Sequence, residues 1–514
     1  MAAVVAIDAG TTSVRALAFD VDGSVRHVSQ RPLSQHFPRP GWVEHDPDEI
    51  WTGICEALRH VCTLSADEHT EVAAVGITNQ RETAVAWDRR TGRPLGPAIV
   101  WQDKRTATRC AQLAAGGATE DVRRMTGLVL DPYFSATKFD WMLRQGGIDP
   151  SPDLALGTVD SWLVWQLTGG ADGGLHATDP SNASRTLLYD IDARCWSEEL
   201  CALFDVPITA LAEVRPTCGR FGTVARGAVP GAPLLDGVGV SAVVGDQQAA
   251  LFGQACVEPG MAKVTYGTGS FVLSYAGTTR PPTAPGLLTT VAWDLGDRAP
   301  GPGPGPGPGP VAYAIEGSTF VAGAAIQWLR DGLKLITAAD EVGPLAESVP
   351  DSGGLVAVPA FAGLGSPWWD PNARGIIVGI TRGTGRGHVA RAVVEAMAYS
   401  VRDMVDAMTG ATGTPCPQLR ADGGAAVMSL LLQLQADQLQ LPVVRPVCTE
   451  ATALGAALLA GLAEGVWGSV AETAALWQPD EECRPRVDRE TAGSGYARWL
   501  TAVERARAWV TGGG

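Results

Sequence analysis

Two turns rich in glycine and threonine constrain the fold of this chain more than any other feature. The first is Gly10-Thr11-Thr12 and the second is Gly267-Thr268-Gly269, and each lies between two apolar runs, which predicts a strand, a tight turn and a second strand. Glycine removes the Cβ obstruction, so the backbone N–H groups of such a turn can approach a phosphate closely and form an anion-binding concavity. The recurrence predicts two lobes that close on one nucleotide.

Neither turn has the form of the common Walker loop, which would be GxxxxGK[ST] with a helix behind it. Residues 13–20 alternate instead as a strand, and Asp22-Gly23 predicts a turn into another strand. For either turn alone, a plain hairpin in a β meander remains the alternative. Asp8 precedes the first turn, where a carboxylate can hold Mg²⁺ directly or through water. Asp8 and the pairing of the turns favour the phosphate-binding interpretation.

Length, charge and cysteine usage limit the class of protein. The chain has 514 residues, which exceeds one typical core and allows two substantial domains. Its 55 acidic against 39 basic side chains give a net charge of −16, which disfavours a nucleic-acid partner or an anionic membrane. The ten cysteines include no CxxC pair, so we expect reduced thiols, no disulfide and no zinc.

Neither the N-terminus nor the most apolar run of the sequence indicates a membrane segment. The N-terminus has no basic leader and no long apolar core, so it predicts a first strand and not a signal peptide. Residues 451–463 are apolar, but the run is short and made of small residues, which predicts a buried helix packed closely through alanine and glycine. We therefore expect no integral membrane segment and a cytoplasmic protein.

The chain divides into two predicted lobes, residues 1–253 and 254–514, with a boundary near 255–260. Residues 300–310 alternate proline and glycine, which predicts a solvated insert without a catalytic role. In the first lobe, strand patterns occur at 71–78, 83–87, 98–101 and 154–168. The last of these stretches begins as a strand and continues into a predicted amphipathic helix. In the second, apolar residues fall on one face over 388–408, which predicts a long helix. The mixture indicates an α/β fold with a cleft.

Polar clusters that end apolar strands mark candidate chemistry in the first lobe, at 79–82, 131–133 and 245–248. Asp246 follows the apolar run 238–245 and could accept the proton of a substrate hydroxyl, as phosphoryl transfer requires. A helix N-cap for the residues from Gln247 onward remains the alternative for Asp246.

Two further features lie beside these clusters. The double glycine in residues 421–426 could bring backbone against an adenosine, although a tight strand-to-helix connection is the alternative. Trp101 and Phe271 could stack on the C–H edge of a small polyol whose hydroxyls meet the polar clusters, although simple core packing is the alternative.

At residues 133–145 and 375–395 the chain carries two signatures that resemble those of the FGGY carbohydrate-kinase family, and the likeness is nearly collinear from Val5 to about Arg507. Four longer runs resemble the glycerol-phosphorylating members in particular: 40–47, 76–83, 182–185 and 245–253. The resemblance implies a two-lobed α/β fold of the actin, hexokinase and heat-shock ATPase type, in which a ribonuclease H-like domain is duplicated around an interdomain cleft. It also implies ATP-dependent phosphorylation of glycerol to sn-glycerol 3-phosphate with Mg²⁺.

The resemblance carries roles onto matching positions of this chain. Asp246 is implied as the catalytic base, and the glycerol site is implied at Arg81, Glu82, Trp101, Tyr133, Asp246, Gln247 and Phe271. The implied contacts to ATP or ADP are Thr11, Thr12, Ser13, Arg15, Thr268, Gly269, Gly323, Gln327 and Gly424. The implied metal ligands are Asp8 and Asp246. A homo-oligomer, dimer or tetramer, is implied as well.

Several positions depart from the family pattern. Ala9 stands where a glutamine is usual, and Met428 and Ser429 replace a usual pair of asparagines, which bears on adenine recognition. Residues 225–235 lack both the loop associated with fructose bisphosphate inhibition and the histidine loop phosphorylated by the sugar phosphotransferase system, so we expect neither control. Two rival functions stay open: a related kinase acting on a pentulose or gluconate, and an actin-like nucleotide-binding protein without phosphoryl transfer.

Overall fold

The computed structural model describes residues 2–298 and 310–510. Of the predicted proline–glycine insert at 300–310, all but Pro310 lies outside these residues. Two mixed β-sheets, one from each half of the chain, form the framework, and helices cover them.

The first half begins with β1 and ends with α8. Its strands are β1 (Ala2–Ala9), β2 (Ser13–Phe19), β3 (Val25–Pro32), β4 (Glu44–His45), β5 (Glu71–Asn79), β6 (Ala84–Asp88), β7 (Ala98–Ile99), β8 (Leu154–Thr158), β9 (Ala177–Thr178), β10 (Tyr189–Asp190), β11 (Cys195–Trp196), β12 (Glu213–Val214), β13 (Cys218–Thr223) and β14 (Gly239–Gly245). Its α-helices are α1 (Pro47–Asp67), α2 (Ala107–Ala115), α3 (Thr119–Thr126), α4 (Ala136–Arg144), α5 (Val159–Leu167), α6 (Pro180–Ala183), α7 (Glu198–Leu203) and α8 (Asp246–Gly253).

The second half begins with β15 and ends with α15. Its strands are β15 (Ala262–Tyr266), β16 (Ser270–Gly277), β17 (Leu288–Asp294), β18 (Val311–Thr319), β19 (Val356–Val358), β20 (Ile376–Val378), β21 (Leu419–Asp422), β22 (Val443–Pro446) and β23 (Pro479–Cys483). Its α-helices are α9 (Gly323–Gln327), α10 (Val342–Glu347), α11 (Arg386–Thr412), α12 (Ser429–Leu439), α13 (Ala451–Glu464), α14 (Val470–Ala475) and α15 (Arg489–Ala506).

The two large sheets repeat one plan. In the first, with the order β13-β14-β5-β1-β2-β3, the strands β1, β2 and β3 form an antiparallel meander, and β5 and β14 run parallel to β1. In the second, with the order β17-β18-β16-β15-β21-β22-β23, the strands β15, β16 and β18 are antiparallel, and β21 and β22 run parallel to β15. The predicted strand–turn–strand units and the predicted duplicated α/β fold are both confirmed.

Strand register brings the polar strand ends of the first sheet together. Ala9 of β1 pairs with Asn79 of β5, and Asn79 pairs with Gly245 of β14. Because these three strands are parallel, the residues that follow them meet at one edge of the sheet. This edge carries the first glycine–threonine turn and two of the predicted polar clusters.

Helix α5 differs from its prediction. The sequence indicated an amphipathic helix over the end of 154–168, but every residue of α5 except Gln166 is buried. The helix packs against the first sheet on one side and against β8 and β6 of a four-stranded sheet on the other. Since both sides are covered, its apolar residues, including Trp162 and Trp165, surround the helix axis, and the prediction of one solvated face was wrong.

Helices α8 and α13 cross with their backbones in contact. A Cβ atom on Gly455 of α13 would lie 1.9 Å from the carbonyl oxygen of Ala249 in α8, and a Cβ on Gly253 would lie 2.0 Å from that of Ala451. This confirms the predicted close packing through small residues. Helix α13 comes from the second half but packs on β1, β5 and β14 of the first sheet, whereas α8 packs also on β15 and β16 of the second.

Within residues 2–298 and 310–510, no helix combines the length and the apolar character that crossing a membrane would require.

Candidate active site

A cleft of about 620 Å³ lies between the two halves. Both halves line it, and its walls include eleven of the predicted site residues: Thr11, Thr12, Arg81, Glu82, Trp101, Tyr133, Asp246, Gln247, Thr268, Gly269 and Phe271. The remaining predicted residues are not among its lining residues: Asp8, Ser13, Arg15, Gly323, Gln327 and Gly424. The structure therefore gathers all seven predicted polyol residues and four residues of the two turns around one space.

The first turn is fixed by contacts with the polar strand ends. The indole Nε1 of Trp101 donates a hydrogen bond to Thr11 Oγ1 (2.9 Å), and Gln80 Nε2 donates to the carbonyl oxygen of Gly10 (3.1 Å). The exposed Thr12 accepts a backbone hydrogen bond from Leu33 (3.0 Å). The turn thus has a set shape and is coupled to both the aromatic wall and the segment after β5.

The second turn depends on two glycines for its close contacts. A Cβ on Gly269 would lie 2.1 Å from the carbonyl oxygen of Thr319, and a Cβ on Gly323 would lie 2.6 Å from that of Gly267. The Thr268 carbonyl accepts from the N–H groups of Ala322 and Ala324 (2.8 and 3.0 Å). The start of α9 therefore holds this turn, which gives Gly323 a supporting position behind the cleft wall.

Three aromatic rings form one wall of the cleft. Trp101 meets Tyr133 edge to face at 5.5 Å between ring centroids, and it meets Phe271 at 6.4 Å. Trp101 and Tyr133 come from the first half and Phe271 from the second. The wall offers an apolar surface directly beside charged groups, which suits a small molecule with both C–H and O–H edges.

Four buried charged side chains form a network beneath this wall. Arg81 pairs with Glu316 (2.5 Å), and Arg185 pairs with Glu82 (2.7 Å) and with Glu316 (2.8 Å). Burial raises the pKa of the Glu316 carboxyl, but Arg185 and Arg81 outweigh this effect and hold that pKa below its ordinary value. Glu82 has a φ of 59°, a left-handed conformation that is strained for a glutamate and is found preferentially at functional sites.

Asp246 is the first residue of α8 and faces the cleft. Its Oδ1 accepts from the N–H of Gln247 (2.7 Å) and lies 3.2 Å from Arg81 Nε. Burial raises the pKa of Asp246 to about 6, although Arg81 lowers it. The N-cap of α8 is Gly245, so the capping interpretation of Asp246 is wrong.

Asp8 and Arg15 lie side by side at the base of the first turn. Arg15 donates to Asp8 Oδ2 (2.5 Å) and to Glu450 Oε2 (2.5 Å), a residue directly before α13. Ser13 accepts a hydrogen bond from Gln30 (2.9 Å). In this arrangement two carboxylates hold Arg15 through hydrogen bonds. Arg15 contacts only Oδ2 of Asp8, so Oδ1 is available to bind another partner.

The carboxylates fit a magnesium ion held partly by substrate. In the described residues, no group of three or more His, Cys, Asp or Glu side chains could hold a metal on its own. Mg²⁺, however, commonly binds one or two carboxylates together with phosphate oxygens and water. Asp8 Oδ1 and Asp246 Oδ2 lie at the same edge of the first sheet and carry none of the contacts just described, so they are suitable ligands of this kind.

The segment after β21 borders the second turn. Gly423 has a φ of 86°, and a Cβ there would lie 2.6 Å from the carbonyl oxygen of Tyr266. Gly424 is exposed, with open space where its Cβ would be, and Gln327 is exposed as well. Met428 packs beside Gly343 instead of offering an amide. Backbone next to the second turn is therefore open to a flat ligand.

The sequence interpretation assigned no role to Glu316, Arg185 or Lys263. Glu316 and Lys263 are fully buried, and each is the only ionisable side chain of its strand apart from tyrosines. A lone charge in an apolar strand is a signal that could have identified both, since buried charges are usually paired. Arg185 lay within one of the resembling runs, and nothing in the sequence paired it with Glu82.

The fold and the cleft define a two-lobed α/β protein in which two glycine-rich turns, charged side chains and aromatic rings line one cleft. Comparison with family models narrows this class: residues 3–253 match the N-terminal domain, and residues 262–464 the C-terminal domain, of the FGGY family of carbohydrate kinases. The chain belongs to this family.

Individual relatives extend over the whole chain. It is 49% identical over 510 residues to a curated glycerol kinase of Koribacter versatilis, with 98% of each chain covered, and 49% identical over 515 residues to one of Trichlorobacter lovleyi, with 99% of this chain and 100% of that protein covered. Among solved structures, the Plasmodium falciparum glycerol kinase with ADP has a TM-score of 0.90 at 33% identity, with 98% of both chains covered.

Proposed function

We propose that this protein is a kinase that transfers the γ-phosphoryl group of ATP to glycerol and yields sn-glycerol 3-phosphate. Near-half identity to curated glycerol kinases over the full chain supports the reaction class. The structural observation that carries the proposal is the position of Asp246, which lies beside Arg81 and lines the same cleft as Trp101, Tyr133 and Phe271.

Glycerol fits the inner part of the cleft by its chemistry. Arg81 and Gln247 can donate hydrogen bonds to hydroxyl oxygens, and Glu82 can accept from a hydroxyl group. The aromatic wall packs against the carbon chain, and the Glu316 and Arg185 network fixes Arg81 and Glu82 before the substrate arrives. Such fixed groups reduce the entropy that is lost when the substrate is oriented for attack.

The transfer step requires one base and several charge-stabilising donors. Asp246 removes the proton of the terminal hydroxyl, that oxygen forms a bond to the γ-phosphorus, and the bond to the β–γ bridging oxygen breaks, so that ADP leaves. The N–H groups and hydroxyls of the two turns stabilise the charge on the phosphates. Asp8 and Asp246 would hold Mg²⁺, which would supply positive charge to neutralise part of the phosphate charge.

We propose that the two halves bind different ligands. Residues 1–253 hold glycerol, the phosphates and Mg²⁺, and residues 254–514 hold the nucleotide. Gly424 and Gln327 would border the adenosine, with Gly323 supporting the turn at Thr268. We also propose a cytoplasmic homo-oligomer, dimer or tetramer. The family likeness supports the oligomer, and ten unpaired cysteines support a reducing compartment.

The first test is a coupled ADP-release assay with Mg-ATP. It compares glycerol with dihydroxyacetone, xylulose, gluconate and no acceptor. Glycerol should stimulate release most. Stimulation mainly by xylulose or gluconate would assign a sugar kinase, and release independent of any acceptor would favour a nucleotide-binding protein of the actin type.

Substitution of the base tests the mechanism. The variant Asp246→Asn should bind glycerol and ATP but lose turnover about 100- to 10,000-fold, because it lacks a proton acceptor. Asp67→Asn, at an exposed position in α1, is the matched control and should retain full turnover. Near-normal turnover of Asp246→Asn would remove the assignment of the base.

A further inference from the structure

Lys263 is a buried cation next to the cleft to which no role has been given. Ala262, Val264 and Tyr266 of β15 belong to the core of the second half, and Lys263 and Thr265 alternate with them on the opposite face, toward α8. The side chain of Lys263 is fully buried. Its ammonium donates to Gln247 Oε1 and to Thr265 Oγ1 (2.8 Å).

The partners of Lys263 are unusual for a buried lysine. Its neighbouring charges are Asp422, Asp246 and Glu316, which attract it, and Arg81, which repels it. Across the described residues, however, none of these carboxylates comes within ion-pairing distance of Nζ, and the direct contacts are two neutral side chains that line the cleft. The lysine is therefore placed to orient polar groups of the site, not to complete a salt bridge.

The contact fixes which end of the Gln247 amide faces the substrate. An ammonium can only donate, so the atom it contacts must be the amide oxygen. Gln247 lines the cleft, and with Oε1 held by Lys263 its Nε2 is the end left to a ligand. Without the lysine the amide could rotate and present an acceptor or a donor with similar ease.

We infer that Lys263 is a positioning residue, which acts through Gln247 by locking that amide as a hydrogen-bond donor toward an acceptor hydroxyl. The inference rests on the proposed glycerol kinase function. The hydrogen bond between Lys263 and Gln247 joins the two halves of the chain at the site, because Lys263 lies in β15 and Gln247 in α8. Thr265 extends the contact to Asp422 (2.5 Å), two residues before Gly424, which is proposed to border the nucleotide.

A double-mutant cycle tests this role. The glycerol KM and kcat are measured with saturating Mg-ATP for wild type, Lys263→Met, Gln247→Leu and the double variant, at a pH well above the pKa of Asp246. Each single change should raise the glycerol KM about tenfold, the effect of one lost hydrogen bond, with a smaller change in kcat. The double variant should be no worse than Gln247→Leu alone. Lys334→Met, at an exposed position, controls for the lost charge.

A second variant keeps the test decisive if Lys263→Met does not fold. Gln247→Glu retains an acceptor for Lys263 but has no donor, so it should raise the glycerol KM as much as Gln247→Leu. An unchanged KM for Gln247→Glu or Lys263→Met, or single effects that multiply in the double variant, would overturn the positioning role. Wild-type protein without glycerol-stimulated ADP release would instead overturn the proposed function, and the role with it.

Discussion

Asp246 is subject to two opposing influences, and their balance sets its chemistry. Burial disfavours the charged carboxylate and raises its pKa, whereas Arg81, 3.2 Å away, favours the charged form. The result, a pKa of about 6, lies close to neutral pH. A base with such a pKa is largely deprotonated at neutral pH yet accepts a proton more readily than an ordinary aspartate.

We expect this pKa to appear in the pH dependence of the reaction. Because protonated Asp246 cannot accept a proton, kcat/KM for glycerol should fall as the pH decreases through about 6 and should be level above it. A pH profile of wild type measures the midpoint, and the residual activity of Asp246→Asn should lack this limb. A midpoint near the ordinary value of an aspartate would contradict the environment described for Asp246.

Glu316 provides a stability test of the buried charges. Glu316→Leu leaves Arg81 and Arg185 without their shared partner, which should lower the free energy of unfolding by about 3–5 kcal/mol, measured by urea denaturation. Glu504→Gln removes an exposed partner of Arg507 and should change stability by no more than about 1 kcal/mol. Equal effects of the two substitutions would show that the buried network stabilises the fold no more than an exposed ion pair does.

Some site residues could be predicted from the sequence, but the contacts between them could not. Asp246, Arg81 and the aromatic residues could be chosen because polar side chains end apolar strands. Glu316 could not be paired with Arg81, because 235 positions separate them and one sequence contains no information on long-range contacts. The locked amide of Gln247, in α8, also depends on a contact that the sequence does not show, with Lys263 of β15.

Among the elements, helices α8 and α13 cross so closely that no side chain fits at their contact. Glycine at 253 and 455 allows the two backbones to touch, and a Cβ on Gly455 would overlap a carbonyl oxygen that cannot move aside easily, because it belongs to a helix. This contact fixes the distance between the helices and therefore the relation of the two sheets on which they pack.

We expect Gly455→Ala to destabilise the protein by at least about 2 kcal/mol, because overpacking forces helix α13 away from α8. Gly493→Ala is the matched control: Gly493 lies inside α15 with no neighbouring atom near its Cβ position, so alanine should stabilise by about 0.5–1 kcal/mol. Thermal unfolding of both variants measures the contrast. A neutral Gly455→Ala would mean that the crossing adjusts freely.

Elements that follow from the local sequence pattern were predicted correctly. The burial of a helix by elements distant in sequence was not. The two turns, the strand over 71–78 and the helix over 388–408 follow from periodicity, and all appear in the structure. Helix α5 was assigned a solvated face because its pattern said nothing about the second sheet above it. Close packing of α13 was predictable from its small residues, but its place on the first sheet was not.

In the whole molecule, the halves share one of the clusters of buried apolar residues. A single cluster of buried residues includes Val4 and Leu17 of the first sheet, Leu273 and Ala314 of the second, and Leu458 of α13. The boundary near residue 253 therefore divides the sequence at a point where the packing is continuous. Each half covers apolar surface that belongs to the other.

Expression of the halves tests this continuity. Residues 1–253 alone lack α13, so the fragment should expose apolar surface, bind the dye ANS and fail to unfold cooperatively. Coexpression with residues 254–514 should restore ADP release stimulated by glycerol. A fragment of residues 1–253 that unfolds in one cooperative transition without dye binding would show that it is an independent domain.

The position of α13 also has a consequence for biosynthesis. The first strands of the protein leave the ribosome at the beginning of translation. The helix that covers one face of their sheet is made roughly 200 residues after α8, on the order of 10–40 s later at about 5–20 residues per second. During that interval the nascent chain carries an uncovered apolar sheet face. Chaperones that bind nascent chains should therefore engage this protein until Leu458 and its neighbours have emerged.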